Sequence, residues 1–176
     1  EFASKAFSCK QIYRIAAEEK MNIDVVSCGE IYTAVSAGFP MENCFFHGNN
    51  KTDGDIEFAI ENKVGFFVVD SEVELFAIDQ IAKQRGITQK ILFRVTPGID
   101  THTHEKISTG NIDSKFGIAI DTNQAKETVG KILKLSNVKL VGFHCHIGSQ
   151  IFESTPFDLA SELMFTFISD IKATYG

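Results

Sequence analysis

The sequence predicts an α/β protein in which about six βα units build a parallel sheet, the architecture of an incomplete (β/α)8 barrel. Short apolar stretches alternate along the 176 residues with segments whose apolar residues recur at helical spacing. This alternation is typical of parallel strands joined by crossover helices. The short stretches are mostly apolar throughout, as strands covered by helices on both faces must be. A complete barrel would need about two more units.

Six apolar segments are the predicted strands, in chain order. They are residues 2–6, 23–27, 44–48, 65–70, 90–96 and 138–147. In a barrel, binding and catalytic groups gather at the C-terminal ends of the strands. We therefore expect the functional residues near these ends.

One helix carries both a start and a stop signal. Ser71 and Glu74 form a predicted capping box, in which each side chain satisfies a backbone amide of the first turn. Gly86 supplies a left-handed stop. Together they predict a helix over Glu72–Arg85.

The last helix begins at a threonine–proline pair. Thr155 is the predicted N-cap, and Pro156 takes the first helical position, where its missing N–H costs nothing. The following apolar residues trace one stripe that must cover a sheet: Phe157, Ala160, Leu163, Met164, Phe167, Ile168 and Ile171.

The composition favours a protein that binds a small molecule. Lys+Arg 17 against Asp+Glu 23 gives a net charge of -6, so the positive charge needed for nucleic acid or an anionic membrane is missing. The longest apolar runs are far shorter than the roughly 20 residues of a transmembrane helix. The four cysteines form no Cys-x-x-Cys pair and no secretory signal precedes them, which favours reduced thiols in the cytoplasm.

The chain is expected to form one domain over residues 1–176, as a segment of a longer protein. It has no internal repeat or linker, and it begins at Glu1 rather than Met. Residues 97–111 are polar and exceed the roughly two to six residues of an ordinary βα loop. Long loops at the C-terminal ends of barrel strands tend to be functional.

Two basic residues interrupt apolar strands. Lys5 lies in residues 2–6, where desolvation would favour the neutral amine that attacks carbonyls, unless the side chain simply extends to water. Arg94 shares a strand face with Leu92. If that face is the barrel interior, the charge needs either a structural carboxylate or an anionic ligand, and the sequence leaves both open.

Histidines cluster at two places. His144 and His146 fall on one face of the last predicted strand, where a histidine can stack on a flat ring, ligate a metal or transfer a proton. A core histidine is the alternative for His144, whereas His146 lies nearer the strand end. His102, His104 and Glu105 lack the spacing on a rigid element that marks a metal site, so a loop that closes over a substrate is favoured over zinc.

Several short motifs resemble, in their order along the chain, those of the diaminopimelate decarboxylases, pyridoxal-phosphate enzymes with an alanine-racemase-like barrel. They are FASKA (2–6), DVVS with GE (24–30), HGNNK (47–51), THTHE (101–105), STG (108–110), SKFG (114–117) and HCHIGSQ (144–150). Each motif alone is weak, but their order is specific, and the similarity runs along essentially the whole chain. Cys28 stands where glycine is usual in that family.

The resemblance implies pyridoxal 5'-phosphate as the cofactor and no metal. Lys5 would form a Schiff base with it and His146 would stack on its ring, which makes these two the implied catalytic residues. The implied cofactor-binding set is Lys5, Asp24, Arg94, His146 and Ser149. The implied substrate loop contains His102, His104, Glu105, Ser108 and Thr109. Lys115 and Phe116 would lie near a dimer-related site.

The implied reaction is decarboxylation of meso-2,6-diaminopimelate to L-lysine and carbon dioxide, by a cytoplasmic homodimer with shared active sites. The family's glycine-rich phosphate loop, its Glu-Pro-Gly-Arg stretch, its last barrel units and its C-terminal β domain are not in these 176 residues. Residues 1–176 alone are therefore expected to bind the cofactor weakly and to show no turnover.

Two other functions are compatible with parts of the sequence. An ornithine- or arginine-type decarboxylase would share the fold and the cofactor anchoring, although the motif over residues 101–110 favours diaminopimelate. A non-catalytic relative that binds a partner protein is the alternative from a different class. Intact Lys5 and His146 count against it.

Overall fold

The computed structural model describes residues 1–99 and 116–176, and the strands in these residues are parallel to their neighbours. They are β1 (Phe2–Ala3), β2 (Ile23–Val25), β3 (Cys44–Phe46), β4 (Phe66–Val69), β5 (Gln89–Thr96), β6 (Ile118–Ala119) and β7 (Val138–His144). The first five pair in chain order, and β7 pairs with the other side of β5. Within residues 1–99 and 116–176, the short β6 pairs only with the end of β5.

Helices follow the strands in turn. They are α1 (Lys10–Glu18), α2 (Cys28–Ala37), α3 (Asp53–Glu61), α4 (Glu72–Arg85), α5 (Gln124–Ile132) and α6 (Thr155–Tyr175). The prediction of six βα units in an incomplete barrel is therefore confirmed. The main core lies between the sheet and the helices, where the largest fully buried side chains include Tyr13, Phe46, Phe67 and Phe93. None of the described helices could cross a membrane.

Five of the six predicted strands end earlier than predicted, and the difference is largest, at three residues, for β1 and β7. The chain leaves β1 after Ala3 and forms a 3₁₀ turn over Ser4–Ala6, because the Ser4 hydroxyl donates a hydrogen bond to the carbonyl of Asp24 at 2.7 Å. The last strand, β7, ends at His144, since the pairing with β5 stops where Arg94 faces His144. Residues 145–147 therefore lie beyond the sheet.

The helix starts agree with the predictions in part. Ser71 caps α4 by accepting a hydrogen bond from the amide of Glu74, and Gly86 ends the helix with φ of 65°. The Glu74 carboxylate, however, accepts from the amide of Asp70 at 2.9 Å, so the reciprocal half of the predicted capping box is wrong. Its other oxygen is engaged by a buried lysine, described below, which draws the carboxylate away from the N-cap.

The last helix begins one residue earlier than predicted. Thr155 is the first residue of α6 and Ser154 precedes it, without a side-chain capping bond. The predicted stripe is only partly buried, since Phe157 and Ile168 are 51% and 37% exposed while Phe167 packs edge-on against Phe143 at 5.1 Å. The stripe is uncovered on one side because, among the described residues, β7 has no further strand next to it.

Gly65 offers a direct test of how closely β4 is packed. The amide of Gly65 donates to the carbonyl of Met41 at 2.8 Å, and a Cβ on Gly65 would lie 2.0 Å from the carbonyl oxygen of Glu42. We expect Gly65→Ala to lower the free energy of unfolding by about 1–3 kcal/mol, because backbone atoms must move apart. In Gly54→Ala, at the start of α3, the nearest atom is 3.9 Å away, so no loss is expected. Urea unfolding compares the two variants, and equal unfolding midpoints would contradict the close packing at Gly65.

Candidate functional site

A cavity of about 790 Å³ opens at the C-terminal ends of the strands. This volume is within the range typical of small-molecule sites, about 300–1,000 Å³. The cavity wall contains all five residues of the implied cofactor-binding set: Lys5, Asp24, Arg94, His146 and Ser149. They come from segments that are distant in the sequence, so the parallel sheet brings them together.

Lys5 follows β1 in the 3₁₀ turn and lines the cavity. The turn is anchored at Ser4, which is fully buried, whereas Lys5 itself is exposed. Within the described residues, this exposure favours the lysine that extends to water over the desolvated one. The Lys5 charge nevertheless acts on the site: burial, then the charge of Arg94, then that of Lys5 lower the pKa of His146, and Lys5 opposes the rise that burial causes in the pKa of Asp24.

Asp24 lies beside Lys5 on β2. Burial raises the pKa of its carboxyl group, and the nearby charge of Lys5 opposes the rise. One carboxylate oxygen, Oδ1, is buried and makes no hydrogen bond to the described residues. A buried carboxylate oxygen in the wall of a cavity is suited to accept a proton or a hydrogen bond from a bound molecule.

Arg94 makes the structural ion pair of the first interpretation, while contact with an anionic ligand stays a prediction. Its guanidinium Nη1 lies 3.5 Å from Oδ1 of Asp70, which makes a structural ion pair, and the same side chain lines the cavity. On another side, the guanidinium carbon lies 4.6 Å from the ring centre of Phe116. Among the described residues, Asp70 and Phe116 therefore hold Arg94, which still reaches the cavity.

Two half-buried histidines form a pair in the cavity wall. The rings of His47 and His144 meet edge to face with their centres 4.9 Å apart, and Nδ1 of His144 is buried without a hydrogen bond to the described residues. His146 lies two residues beyond the end of β7 and is exposed. Both His144 and His146 line the cavity, although only His144 belongs to the strand.

The histidine pair predicts a loss of stability in acid. Burial, followed by nearby positive charges, lowers the pKa of His47 to about 3 and of His144 to about 4, from an ordinary 6.5. Below pH 6.5 the unfolded chain binds protons that the folded chain excludes, so stability falls with falling pH. Between pH 7.5 and 5.5 we expect a loss of about 2–3 kcal/mol from the pair. Urea unfolding at both pH values measures it.

The matched variant for this prediction is His47→Gln, which should remove about half of the pH dependence. The difference between the unaltered protein and this variant isolates the contribution of His47. The comparison is needed because burial raises the pKa of Asp24 and of Glu74, and carboxyl groups with a raised pKa make stability increase as the pH falls. An unchanged pH dependence in His47→Gln would contradict the assignment.

A buried lysine organises the loop after β3. Lys51 donates hydrogen bonds to the carbonyls of Gly48 and Val68, at 2.7 and 2.9 Å, and to Oε1 of Glu74 at 2.7 Å. The side chains of Lys51 and Glu74 are only 2% and 6% exposed. Burial lowers the pKa of Lys51 and raises that of Glu74, and each charge opposes the shift of the other. The pair ties the cavity wall to the start of α4.

Sequence reasoning did not assign roles to three residues at this site, His47, Lys51 and Asp70, and it expected Phe116 near a dimer-related site rather than against Arg94. Their common signal was present, since His47, Lys51 and Asp70 follow or end predicted strands. The implied substrate-loop residues His102, His104, Glu105, Ser108 and Thr109, together with Lys115, lie outside the described residues.

The family of the chain follows from a comparison with family models. The model described as "Pyridoxal-dependent decarboxylase, pyridoxal binding domain" matches residues 1–176. The chain belongs to this family. The resemblance to this family, from which the alanine-racemase-like fold was predicted, is therefore confirmed.

Within the pyridoxal-dependent decarboxylases, the chain is similar to curated diaminopimelate decarboxylases. It is 42% identical to that of Bacillus subtilis and 47% identical to that of Halalkalibacterium halodurans, in each case over 175 residues. Each alignment covers 99% of this chain and 40% of the relative. The chain therefore spans about 40% of the length of these relatives.

Solved structures agree with the fold. The diaminopimelate decarboxylase from M. jannaschii in complex with L-lysine superposes with a TM-score of 0.89 at 36% identity, over 98% of this chain and 40% of that one. The arginine decarboxylase of the Paramecium bursaria Chlorella virus superposes with a TM-score of 0.78 at 20% identity, over 99% and 44%. The second likeness shows the fold alone.

Proposed function

We propose that the protein to which this chain belongs decarboxylates meso-2,6-diaminopimelate to L-lysine and carbon dioxide, with pyridoxal phosphate held in the cavity. The observation that carries the proposal is that Lys5, Arg94 and His146 line one cavity at the C-terminal ends of the strands. Curated diaminopimelate decarboxylases at 42% and 47% identity support the choice of substrate.

The residues present fit pyridoxal phosphate by their chemistry. An aldehyde needs a primary amine, and Lys5 is exposed in the cavity, where its Nζ is accessible. A flat ring needs a flat partner, which His146 offers, and a phosphate needs donors, to which the hydroxyl of Ser149 contributes. The buried Oδ1 of Asp24 adds an acceptor that is not satisfied by the described residues.

Each residue would have a separate task in the reaction. When bound, pyridoxal phosphate supplies the electron sink that decarboxylation of an amino acid requires. Nζ of Lys5 would hold the cofactor and, once released by the substrate, would move a proton at that nitrogen. His146 would orient the ring and shield one face, and Asp24 would accept a hydrogen bond close to Lys5. Arg94 would present fixed donors to an oxygen of the bound molecule.

The choice among decarboxylases rests on identity rather than on the fold. The arginine decarboxylase shares the fold at 20% identity, so the fold does not distinguish the substrates. The diaminopimelate decarboxylases are about twice as identical to this chain. Diaminopimelate is therefore preferred over ornithine and arginine.

A substrate panel tests the proposal. The full-length enzyme is supplied with pyridoxal phosphate and offered diaminopimelate, ornithine and arginine side by side, while carbon dioxide release and the visible absorbance of the bound cofactor are followed. We expect release from diaminopimelate alone. Faster release from ornithine or arginine would support the other decarboxylases, and neither release nor absorbance would support a partner-binding protein.

The cellular setting belongs to the same proposal and rests on the family resemblance. The enzyme would be a cytoplasmic homodimer with shared active sites, and residues 1–176 would form the pyridoxal-binding part of its barrel domain. Residues 1–176 alone would bind the cofactor weakly without turnover, since the resemblance assigns part of the site to residues beyond them. Measurable lysine production by residues 1–176 would overturn that last point.

A further inference from the structure

Arg94 is an unusually constrained arginine for a residue that lines a cavity. Its side chain is only 12% exposed and lies at the end of β5. A free arginine side chain has about 2 kcal/mol of rotamer entropy, which must be lost before its donors can point in one direction. The surroundings of Arg94 indicate that this loss takes place when the protein folds rather than when a molecule binds.

The first constraint is Asp70. Oδ1 of Asp70 lies 3.5 Å from Nη1 of Arg94, and the Asp70 side chain is 6% exposed. The amide of Asp70 donates to Oε2 of Glu74 at 2.9 Å, and the other oxygen of Glu74 binds Lys51 at 2.7 Å. Burial raises the pKa of Asp70, whereas the amide of Gly117 and the charge of Arg94 lower it. Glu74 therefore holds the backbone of Asp70 and the amide of Gly117 holds its carboxylate, while Oδ1 forms an ion pair with Arg94 without a hydrogen bond to the described residues.

The second constraint is Phe116. The centre of its ring lies 4.6 Å from the guanidinium carbon of Arg94, within the range of a cation–π contact. The backbone of Phe116 is itself anchored, because its carbonyl accepts a hydrogen bond from the hydroxyl of Thr96 at 2.8 Å. Gly117 follows with φ of 71°, and a Cβ there would lie 3.1 Å from the carbonyl oxygen of Arg94. The chain therefore packs closely against Arg94 at this point.

We propose that Asp70 and Phe116 are positioning residues, which together lock the guanidinium of Arg94 so that its remaining N–H donors point into the cavity toward an oxygen-bearing or anionic group of the bound molecule. The inference deepens the proposed function and rests on it for the identity of that molecule. A locked guanidinium loses no further rotamer entropy when it binds a molecule, whereas a mobile one must lose that entropy on binding.

The first test measures the guanidinium itself. In the full-length protein, NMR of ¹⁵N-labelled arginine reports rotation about the Cζ–Nε bond of Arg94, and the signal is assigned by its loss in Arg94→Lys. We expect slow rotation in the unaltered protein and faster rotation in Asp70→Asn and in Phe116→Leu. Phe116→Tyr retains the ring and should leave the rotation slow. Fast rotation in the unaltered protein, or no change in both variants, would overturn the inference.

The second test asks whether Asp70 acts through Arg94. We expect Asp70→Asn to raise the dissociation constant for pyridoxal phosphate about tenfold, and to have no such effect in a protein that already carries Arg94→Ala. A purely structural role would weaken binding equally in both backgrounds, which would overturn the inference. The exposed pair between Glu61 and Arg85 provides the control, since Glu61→Gln should alter neither binding nor rotation.

The two tests separate this inference from the proposed function. If the unaltered protein binds no pyridoxal phosphate, the proposed function fails, while the rotation of the guanidinium still decides whether Asp70 and Phe116 lock Arg94. If the protein binds the cofactor and releases carbon dioxide but Arg94 rotates freely, the proposed function stands and the inference fails.

Discussion

Replacing Lys5 with alanine should reduce carbon dioxide release from diaminopimelate by about 10³-fold or more, the order of loss seen when a residue that bonds covalently to the reacting molecule is removed. The proposed function assigns Nζ of Lys5 to the attachment of the cofactor and to proton movement, and alanine can do neither. The visible absorbance of the bound cofactor should disappear in the same variant. Steady-state kinetics and an absorbance spectrum of the full-length enzyme measure both effects.

Stability should hardly change in this variant, because the Lys5 side chain is exposed and the turn is anchored by the buried Ser4. Exposed substitutions usually alter the free energy of unfolding by less than about 0.5 kcal/mol. Lys10→Ala, at the start of α1 and outside the cavity wall, is the matched control and should retain turnover. Retained absorbance in Lys5→Ala would remove Lys5 from its assigned role.

Replacing Lys51 with methionine should lower the free energy of unfolding by about 3–5 kcal/mol. The substitution leaves the Glu74 carboxylate, only 6% exposed, without its cationic partner, and it also removes the hydrogen bonds to the carbonyls of Gly48 and Val68. An uncompensated buried charge costs more than the ion pair contributes. Denaturant unfolding of the full-length protein, with a check of the native circular dichroism spectrum, measures the loss.

The double variant Lys51→Met with Glu74→Gln should be less destabilised than Lys51→Met alone, since a neutral amide replaces the unpaired charge and can still accept from the amide of Asp70. The exposed pair of Arg85 and Glu61 is the control, and Arg85→Ala should cost less than about 1 kcal/mol. The assignment is wrong if Lys51→Met costs no more than Arg85→Ala.

Features of the fold that depend only on neighbouring residues were predictable from the sequence. The helix Glu72–Arg85 was predicted with its observed bounds, because a hydroxyl at its start and a glycine at its end act within one turn. Strand ends were less predictable: β7 stops at His144 because its pairing with β5 ends at Arg94, while the last two residues of β5 pair with β6, and this depends on another part of the chain. The exposure of Lys5 depends in the same way on the bond from Ser4 to Asp24.

Several side chains that line the cavity were predictable through their motifs, but their partners were not. Lys5, Arg94 and His146 were identified from the sequence, and the structure brings them to one cavity. Glu74 was assigned to a capping box, and only the structure revealed Lys51, 23 residues earlier in the chain, as its principal partner. A capping bond and a buried ion pair both require the Glu74 carboxylate. The ion pair with Lys51 forms because a charge-assisted hydrogen bond is stronger than a neutral one.

By itself, the sequence determined the alternation of strands and helices, the family and the residues with reactive side chains, since periodicity, capping and motif order are properties of neighbouring residues. The tertiary structure alone decided which side chains meet. Lys51 pairs with Glu74, Arg94 pairs with Asp70, and the ring of His47 contacts that of His144. Ion pairs and ring contacts depend on distances of a few ångströms between segments that are distant in the chain, and only the packing of the parallel sheet sets those distances.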